Sequence, residues 1–188
     1  NDVPAAKLDR PKGIGWVLLF IRVILIIFLI STLFLFHILL SFFGMKNLCQ
    51  LVVKYACIGS LKIAGLKLKQ SGIPMSFAGA VVANHSSWLD IFVLNAVQKI
   101  YFVSKSEVKK WPLIGKIANH VGTVFIRRSR IDAIKQKNIF LKRISSGDKL
   151  LFFPEGTSTD GMRILPFKST LFAAFFEEGL PEISWIQP

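Results

Sequence analysis

The chain has 188 residues, of which 52% are apolar and 19% charged, and 24 Lys and Arg against 11 Asp and Glu give it a net charge of +13. This composition excludes a disordered or collagen-like chain, and the length allows one compact domain with a small additional segment. A membrane protein that faces anionic lipid reconciles the apolar excess with the positive charge. Cys49 and Cys57 have no accompanying histidine, so we expect buried free thiols and neither a disulfide framework nor a metal site.

The apolar excess is concentrated in residues 14–43, where Arg22 is the one full charge. As a helix this run would be roughly 45 Å long, against about 30 Å for the hydrocarbon core of a bilayer. It is too long for one upright span and too short for two, which leaves a tilted helix or a re-entrant hairpin. We predict an N-terminal arm, a membrane-embedded segment and a basic connector over residues 1–13, 14–44 and 45–72.

The positive charge is highest in residues 99–149, where thirteen Lys and Arg stand against three acidic residues. Nucleic acid is one partner for such a segment, but no recognised nucleic-acid-binding module accompanies it. Phospholipid head groups fit better beside an apolar segment, although a solvated helix face is the alternative for residues 130–143. We therefore expect membrane phospholipids, and not nucleic acid, as partners, while the oligomeric state stays open.

From residue 73 to residue 188 short apolar runs alternate with longer mixed segments, a pattern typical of an α/β domain. The predicted strands cover residues 77–83, 100–103, 123–126, 149–153 and 183–186. The predicted helices cover residues 87–97, 111–120, 131–146 and 168–178. We therefore predict a sheet flanked by helices for residues 73–188.

Polar residues follow three of the predicted strands, as Asn84-His85, Arg127-Arg128 and Glu155-Gly156. Ligands in such sheets gather beyond the carboxyl ends of the strands, so we expect the three segments to meet in one crevice. Only one of the two arginines can lie on the inner side of its strand, because side chains alternate. That arginine could hold a phosphate group.

His85 and Asp90 are five residues apart, which suggests an acid–base pair. If His85 precedes a helix and Asp90 lies in its first turns, the carboxylate reaches one ring nitrogen and the other nitrogen can deprotonate a hydroxyl. On the pair alone, a capping histidine and an aspartate stabilised by the helix dipole are the favoured interpretation.

Three motifs together resemble those of the glycerolipid and lysophospholipid acyltransferases. Residues 84–90, Asn-His-Ser-Ser-Trp-Leu-Asp, resemble the His-x-x-x-x-Asp motif of that family, and residues 153–158, Phe-Pro-Glu-Gly-Thr-Ser, resemble its Phe-Pro-Glu-Gly-Thr motif. Residues 122–128 resemble the intervening Gly-x-x-Phe-Ile-Asp-Arg motif, with Arg127 at the acidic position. The resemblance covers about residues 75–188 and implies a glycerolipid acyltransferase-type α/β fold.

The resemblance also implies roles for individual residues. His85 would be the general base and Asp90 its partner. The residues implied to bind the acceptor and neighbouring substrate groups are Arg128, Glu155, Gly156, Thr157, Arg127 and Lys168. No metal and no cofactor is implied, because the acyl donor is itself a substrate.

The activity implied is that of a membrane-bound enzyme that moves a fatty acyl group from acyl-CoA or acyl carrier protein to a lysolipid hydroxyl, with no acyl-enzyme. Lysophosphatidic acid is the first acceptor implied, and Arg127 leaves lyso-ornithine lipid or another lysolipid open. We expect the catalytic domain on the cytoplasmic face of the membrane. The family's last motif begins at residue 183 and is cut short at Pro188, so we expect a truncation at the C-terminus. Because residue 1 is Asn and not Met, we expect a fragment or an engineered chain.

Two other classes of function stay open. A lipid hydrolase would use Ser86 or Ser87 beside His85, but no Gly-x-Ser-x-Gly segment is present to hold such a serine. A non-catalytic module that binds anionic membranes would need only the basic residues of the segment 99–149.

Overall fold

A computed structural model describes residues 12–127, 133–168 and 185–188, and it describes residues 133–137 and 185 by their backbone alone. The chain divides into two compact units, Asn1–Gln70 and Ser71–Pro188.

From residue 12 onward the first unit contains two helices, α1 (Ile14–Phe42) and α2 (Lys46–Ala64). Helix α1 is continuous and, by its length and apolar composition, is a candidate membrane span. The apolar run is therefore one helix as far as Phe42, and the turn covers residues 43–45, at the end of the run. Helix α2 occupies most of the segment that we predicted as a basic connector, and it pairs with α1 as an antiparallel hairpin.

Arg22, the one charge of the apolar run, lies at the carboxyl end of α2. Its Nη1 donates a hydrogen bond to the Ala64 carbonyl oxygen at 3.3 Å, where the last carbonyl groups of a helix lack partners within it. Gly65 ends α2 with φ +80°, a left-handed conformation that favours glycine. Farther along the hairpin, the Sγ atom of Cys49 contacts the His37 carbonyl oxygen at 3.8 Å. Cys49 and Cys57 are both buried and unbridged, as predicted.

The described residues of the second unit form a five-stranded parallel sheet with the strand order β3-β2-β4-β1-β5. The strands are β1 (Gly79–Val82), β2 (Tyr101–Lys105), β3 (Val124–Ile126), β4 (Lys149–Phe152) and β5 (Trp185–Gln187). The helices are α3 (Leu89–Val97), α4 (Ile114–His120) and α5 (Ala133–Ser145), and a 3₁₀ helix covers Ser106–Lys110. The predicted α/β class is confirmed.

The core lies on both faces of β4, whose residues Leu150, Leu151 and Phe152 are almost fully buried. One face packs against Phe140 and Ile144 of α5. A central parallel strand is covered on both sides, which explains its continuous apolar sequence.

Helices α3 and α4 begin two and three residues later than predicted, and one predicted helix lies outside the described residues. Helix α4 begins at Ile114 and not at residue 111, because Pro112 and Leu113 form a turn before it. The 3₁₀ helix before that turn was not predicted. The helix predicted over residues 168–178 lies outside the described residues except for Lys168.

The strand register sets the position of the site. Val82 pairs with Phe152, so β1 and β4 end side by side at the carboxyl edge of the sheet. His85 and Glu155 each follow three residues later, on adjacent segments.

Arg143, one of the basic residues of the segment 99–149, is part of the fold. Its guanidinium group lies 4.1 Å from the centre of the Tyr101 ring and donates a hydrogen bond to the Gly122 carbonyl oxygen at 3.3 Å. It also forms an ion pair with Asp148. Part of the local positive charge is therefore used to join α5 to the sheet.

We expect Arg143→Ala to lower the free energy of unfolding by about 2 kcal/mol, since it removes the cation–π contact, the hydrogen bond and the ion pair together. Chemical denaturation followed by circular dichroism measures the change. The neighbouring Lys142 is exposed, and Lys142→Ala should change stability by less than about 0.5 kcal/mol. Equal effects of the two substitutions would show that Arg143 is only a surface charge.

Candidate active site

His85 lies in the loop after β1 and is held by the segment that follows β4. Its backbone N–H donates a hydrogen bond to Glu155 Oε1 at 2.9 Å, and its carbonyl oxygen accepts one from the Thr159 N–H at 2.8 Å. The imidazole ring stacks on Phe153, with ring centres 4.0 Å apart and planes 13° from parallel. The backbone and one ring face of His85 are thus fixed by residues distant in sequence.

The side chains of His85 and Asp90 form a direct pair. Helix α3 begins at Leu89, so Asp90 lies in its first turn, and Asp90 Oδ2 is 2.8 Å from His85 Nδ1. This is the contact that the spacing predicted. The two side chains are 22% and 18% exposed, and no described residue forms a hydrogen bond with His85 Nε2. The ring nitrogen opposite Asp90 is therefore available to another molecule.

Asp90 is surrounded by hydrogen-bond donors. Oδ2 accepts from the backbone N–H groups of Ser86 and Ser87 at 2.8 and 3.0 Å, and Oδ1 accepts from the Ser86 hydroxyl at 3.0 Å. Partial burial acts to raise the pKa of Asp90, but the hydrogen bonds from Ser87, His85 and Ser86 together hold that pKa below its ordinary value of 3.8. With Asp90 ionised, the neutral tautomer of His85 that suits this contact carries its proton on Nδ1, and in that tautomer Nε2 is an acceptor.

We expect Asp90→Asn to lower thermal stability near neutral pH more than it does in acid. The pKa of Asp90 is lowered by folding, so its ionised form stabilises the folded chain above pH 3.8, and this contribution is lost as the pH falls through the lowered pKa. Thermal midpoints of the wild type and the variant, measured from neutral pH down to about pH 3, test this. A difference between the midpoints that widened toward acid would contradict it.

Glu155 is 1% exposed, and both of its carboxylate oxygens are used by the backbone. Oε1 accepts from the His85 N–H at 2.9 Å and Oε2 accepts from the Leu165 N–H at 3.0 Å. This geometry gives Glu155 a positioning role, because it ties the loop that carries His85 to the loop that follows β4. That it also binds the acceptor, as the resemblance implies, stays a prediction.

The turn after Glu155 opens a loop that returns to the same place. Gly156 has φ +74°, which favours glycine there, and Thr157 is exposed. At the other end of the loop the Lys168 N–H donates to the Pro154 carbonyl oxygen at 2.9 Å. The structure therefore brings the backbone of Lys168 back to the turn, with its side chain exposed beside it.

Of the two predicted arginines, the structure describes Arg127. Arg127 is exposed at the end of β3, and strands β2 and β4 lie between β3 and β1. At about 4.8 Å per strand, β3 is roughly 14 Å from β1. The described residues thus bring two of the three predicted segments together, and Arg127 stays apart from His85. Arg128 lies outside the described residues, so its role stays a prediction.

Ser86 and Ser87, which a lipid hydrolase would use, form hydrogen bonds with the first residues of α3. The Ser86 hydroxyl donates to Asp90, and the Ser87 hydroxyl accepts from the Leu89 N–H at 3.2 Å. Neither hydroxyl is hydrogen-bonded to His85. Both serines have a structural function in this loop.

Three residues of the site were missed by sequence reasoning, namely Phe153, Thr159 and Leu165. Phe153 is the first residue of the Phe-Pro-Glu-Gly-Thr motif, but nothing in the sequence indicates that its ring stacks on His85. Leu165 acts through its backbone N–H, and Thr159 donates to the His85 carbonyl oxygen through both its backbone N–H and its hydroxyl, contacts across the sequence that no local pattern reveals.

Comparison with known proteins places residues 70–184 within the family model described as Acyltransferase. Over 137 residues the chain is 54% identical to a lyso-ornithine lipid O-acyltransferase of Rhodobacter capsulatus, which covers 73% of this chain and 50% of that protein. It is 42% identical over 100 residues to a 1-acyl-sn-glycerol-3-phosphate acyltransferase of Neisseria gonorrhoeae, which covers 53% of this chain and 39% of that protein. The chain spans half or less of the length of these curated relatives.

Among solved structures, the 1-acyl-sn-glycerophosphate acyltransferase PlsC of Thermotoga maritima matches with a TM-score of 0.65. The match covers 87% of this chain and 73% of that one, at 21% sequence identity. At this identity the likeness shows the fold, and it confirms the predicted type of α/β sheet.

Proposed function

This chain belongs to the acyltransferase family whose model matches residues 70–184, and we propose that it transfers a fatty acyl group from a thioester to the free hydroxyl of a lysolipid. The observation that carries the proposal is the state of His85. Its Nδ1 is tied to the Asp90 carboxylate at 2.8 Å, while its Nε2 is left as an acceptor on a partly exposed ring. This is the arrangement that a general base needs.

In the proposed reaction His85 Nε2 takes the proton of the acceptor hydroxyl as its oxygen attacks the thioester carbonyl carbon. The Asp90 carboxylate stabilises the imidazolium that forms. The tetrahedral intermediate then breaks its carbon–sulfur bond, and the imidazolium returns the proton to the leaving thiolate. The products are a diacyl lipid and a free thiol, no acyl-enzyme forms, and neither metal nor cofactor takes part.

The acceptor that we propose first is lyso-ornithine lipid. The relative that is 54% identical carries that substrate in its name, and Arg127 stands where the resembling motif has an acidic residue. Lysophosphatidic acid, which the motifs alone put first, is the second candidate, supported by the Neisseria relative and by the two arginines after β3.

The donor that we propose is acyl-CoA or acyl carrier protein, and the proposed location is a membrane. Apart from Arg22 and a few polar residues helix α1 is apolar, and most of its large apolar side chains are exposed, so lipid is the solvent that suits them. Because such thioesters are intracellular, we place the second unit on the cytoplasmic face.

Mass spectrometry of the products tests the proposal. The full chain in lipid nanodiscs is given lyso-ornithine lipid, lysophosphatidic acid or lysophosphatidylethanolamine, each with acyl-CoA or acyl carrier protein thioester. We expect diacyl product and free thiol in equal amounts. Free fatty acid without diacyl product would indicate a hydrolase, and membrane binding without any turnover would indicate a non-catalytic module.

The two arginines after β3 give a separate prediction. We expect Arg128→Ala to raise the Michaelis constant for the acceptor about tenfold or more, the size of one lost charge-assisted hydrogen bond, with kcat nearly unchanged. Arg127→Ala is the matched control and should have a smaller effect. Steady-state kinetics with varied acceptor measures both. If Arg127→Ala raised the constant and Arg128→Ala did not, the assignment by resemblance would be wrong.

A further inference from the structure

Three large apolar side chains are exposed within four residues at the turn before α4. Trp111, Leu113 and Ile114 are 54%, 69% and 56% exposed, and Pro112 between them is exposed as well. We call residues 111–114 the apolar tip. A soluble surface seldom exposes so many large apolar groups together without a partner.

The backbone of the apolar tip is strained. Leu113 has φ 59° and ψ −60°, and the Ile114 N–H donates to the Pro112 carbonyl oxygen at 2.6 Å. These values describe the rare form of γ-turn, which costs energy in a residue other than glycine. The strain holds a leucine side chain out in solvent, where burial of that side chain cannot compensate for it.

The apolar tip is fixed from both sides. The Trp111 N–H donates to the Val108 carbonyl oxygen at 3.1 Å, and the Gly115 N–H donates to the Trp111 carbonyl oxygen at 3.0 Å. A Cβ atom on Gly115 would lie 2.7 Å from the Val108 carbonyl oxygen, so only glycine allows this close approach. The exposed side chains are thus presented by a rigid frame.

Charge around the apolar tip is positive. Lys109 and Lys110 precede it, Lys116 follows it, and all three are exposed. Glu107 is the one acidic residue between positions 99 and 131. An apolar centre with a tryptophan and a surround of lysines matches the boundary between acyl chains and anionic head groups of a bilayer.

The apolar tip lies at the edge of the sheet that carries the site. Helix α4 returns the chain from the carboxyl end of β2 to the amino end of β3, so its first residue lies at the carboxyl edge. His85 follows the carboxyl end of β1 at the same edge. Other exposed apolar side chains also follow carboxyl ends of strands, namely Trp88, Met162, Ile164 and Phe167.

From these observations we infer that the apolar tip inserts into the head-group region of an anionic lipid bilayer and holds the carboxyl edge of the second unit against the membrane. The contact is independent of α1 and made by the second unit itself. It rests on exposure, charge and topology, and it needs neither a particular acceptor nor the proposed chemistry.

The depth of a spin label tests this inference without measuring activity. Leu113→Cys is labelled in the full chain carrying Cys49→Ala and Cys57→Ala, in vesicles of phosphatidylglycerol and phosphatidylcholine. Asn119→Cys, exposed at the opposite end of α4, is the matched control. At position 113 we expect molecular oxygen, which concentrates in the bilayer, to accelerate the relaxation of the spin label more than a water-soluble nickel chelate does. At position 119 we expect the nickel chelate to have the larger effect. Labels that are equally aqueous at both positions would overturn the inference.

Two further arms identify the partner. The label at position 113 should move toward water in vesicles of phosphatidylcholine alone and in the variant Lys109→Gln, Lys110→Gln, Lys116→Gln. If the label at position 113 stayed at the same depth in both cases, the attraction between the three lysines and anionic head groups would not contribute to the insertion. If the label stays aqueous in vesicles and is shielded only when acyl carrier protein is added, the apolar tip binds an acidic protein and the inference is wrong.

Discussion

Replacing His85 with alanine is expected to lower the rate of acyl transfer by about 10²- to 10⁴-fold, the usual contribution of a positioned general base. The substitution removes the one ring nitrogen of the His85–Asp90 pair that no described residue engages. The ring is hydrogen-bonded to the Asp90 side chain and stacks on Phe153, while the backbone of His85 makes the hydrogen bonds to Glu155 and Thr159. The loss should therefore appear in kcat, with a small change in thermal stability. Thiol release and diacyl lipid formation, followed together, measure it.

The matched control is His120→Ala. His120 is exposed at the end of α4, which lies toward the amino edge of the sheet, whereas the site lies at the carboxyl edge. We expect this variant to keep the wild-type rate. A His85→Ala protein that acylated a lysolipid at the wild-type rate would remove the general base from the proposed mechanism. It would not affect the membership of the family, which rests on the whole segment 70–184.

Local patterns made the contact between His85 and Asp90 one of two interpretations, and the structure shows that it forms. A helix that begins just after His85 turns the side chain of its second residue back toward the preceding loop, so five residues of spacing determine the contact. The same holds for the strands of the second unit, whose apolar runs mark buried segments between polar turns. Where structure follows from neighbours in sequence, the sequence was sufficient.

Helix α2 shows where composition misled. Lys46, Lys54 and Lys62 gave the segment the character of a connector, yet they lie on a 19-residue helix that packs on α1. Gly59 belongs to this packing, since a Cβ atom there would lie 2.6 Å from Leu29 Cδ2. Such contacts depend on a partner thirty residues away, and composition alone does not report them.

The position of Arg127 depends on strand order, which the sequence did not determine. The chain order of the strands suggested that three polar segments meet, but β4 inserts between β1 and β2, and β3 lies beyond β2. A crossover connection of this kind is decided by how helices cover the sheet, and local patterns do not encode it. The segments after β1 and β4 meet because their strands are neighbours.

Glu155→Ala is expected to reduce both stability and kcat, since it leaves the N–H groups of His85 and Leu165 without their acceptor. A donor left unpaired away from water costs about 1–3 kcal/mol, and both of these hydrogen bonds are partly buried, so the free energy of unfolding should fall by up to about 6 kcal/mol. A displacement of His85 by about 1 Å is enough to lower kcat about 10²-fold. Chemical denaturation and steady-state kinetics measure the two effects.

Glu155→Gln is a milder change. Its amide carbonyl oxygen can still accept from one of the two N–H groups, but its NH₂ group then faces the other N–H group, donor against donor. It should fold, lose about 1–3 kcal/mol of stability and lower kcat by a smaller factor than alanine does. Glu107→Gln, at an exposed residue, controls for the loss of a negative charge.

The two roles considered for Glu155 predict different kinetics. A residue that positions His85 lowers kcat by the same factor with lyso-ornithine lipid and with lysophosphatidic acid, because it acts on the general base and does not contact the head group of the acceptor. A residue that binds the acceptor raises the Michaelis constant, and by different factors for the two head groups. Since both oxygens of Glu155 already accept backbone hydrogen bonds at 2.9 and 3.0 Å, we expect the first pattern. A raised Michaelis constant with kcat intact would return Glu155 to the acceptor-binding role that the motif alone implies.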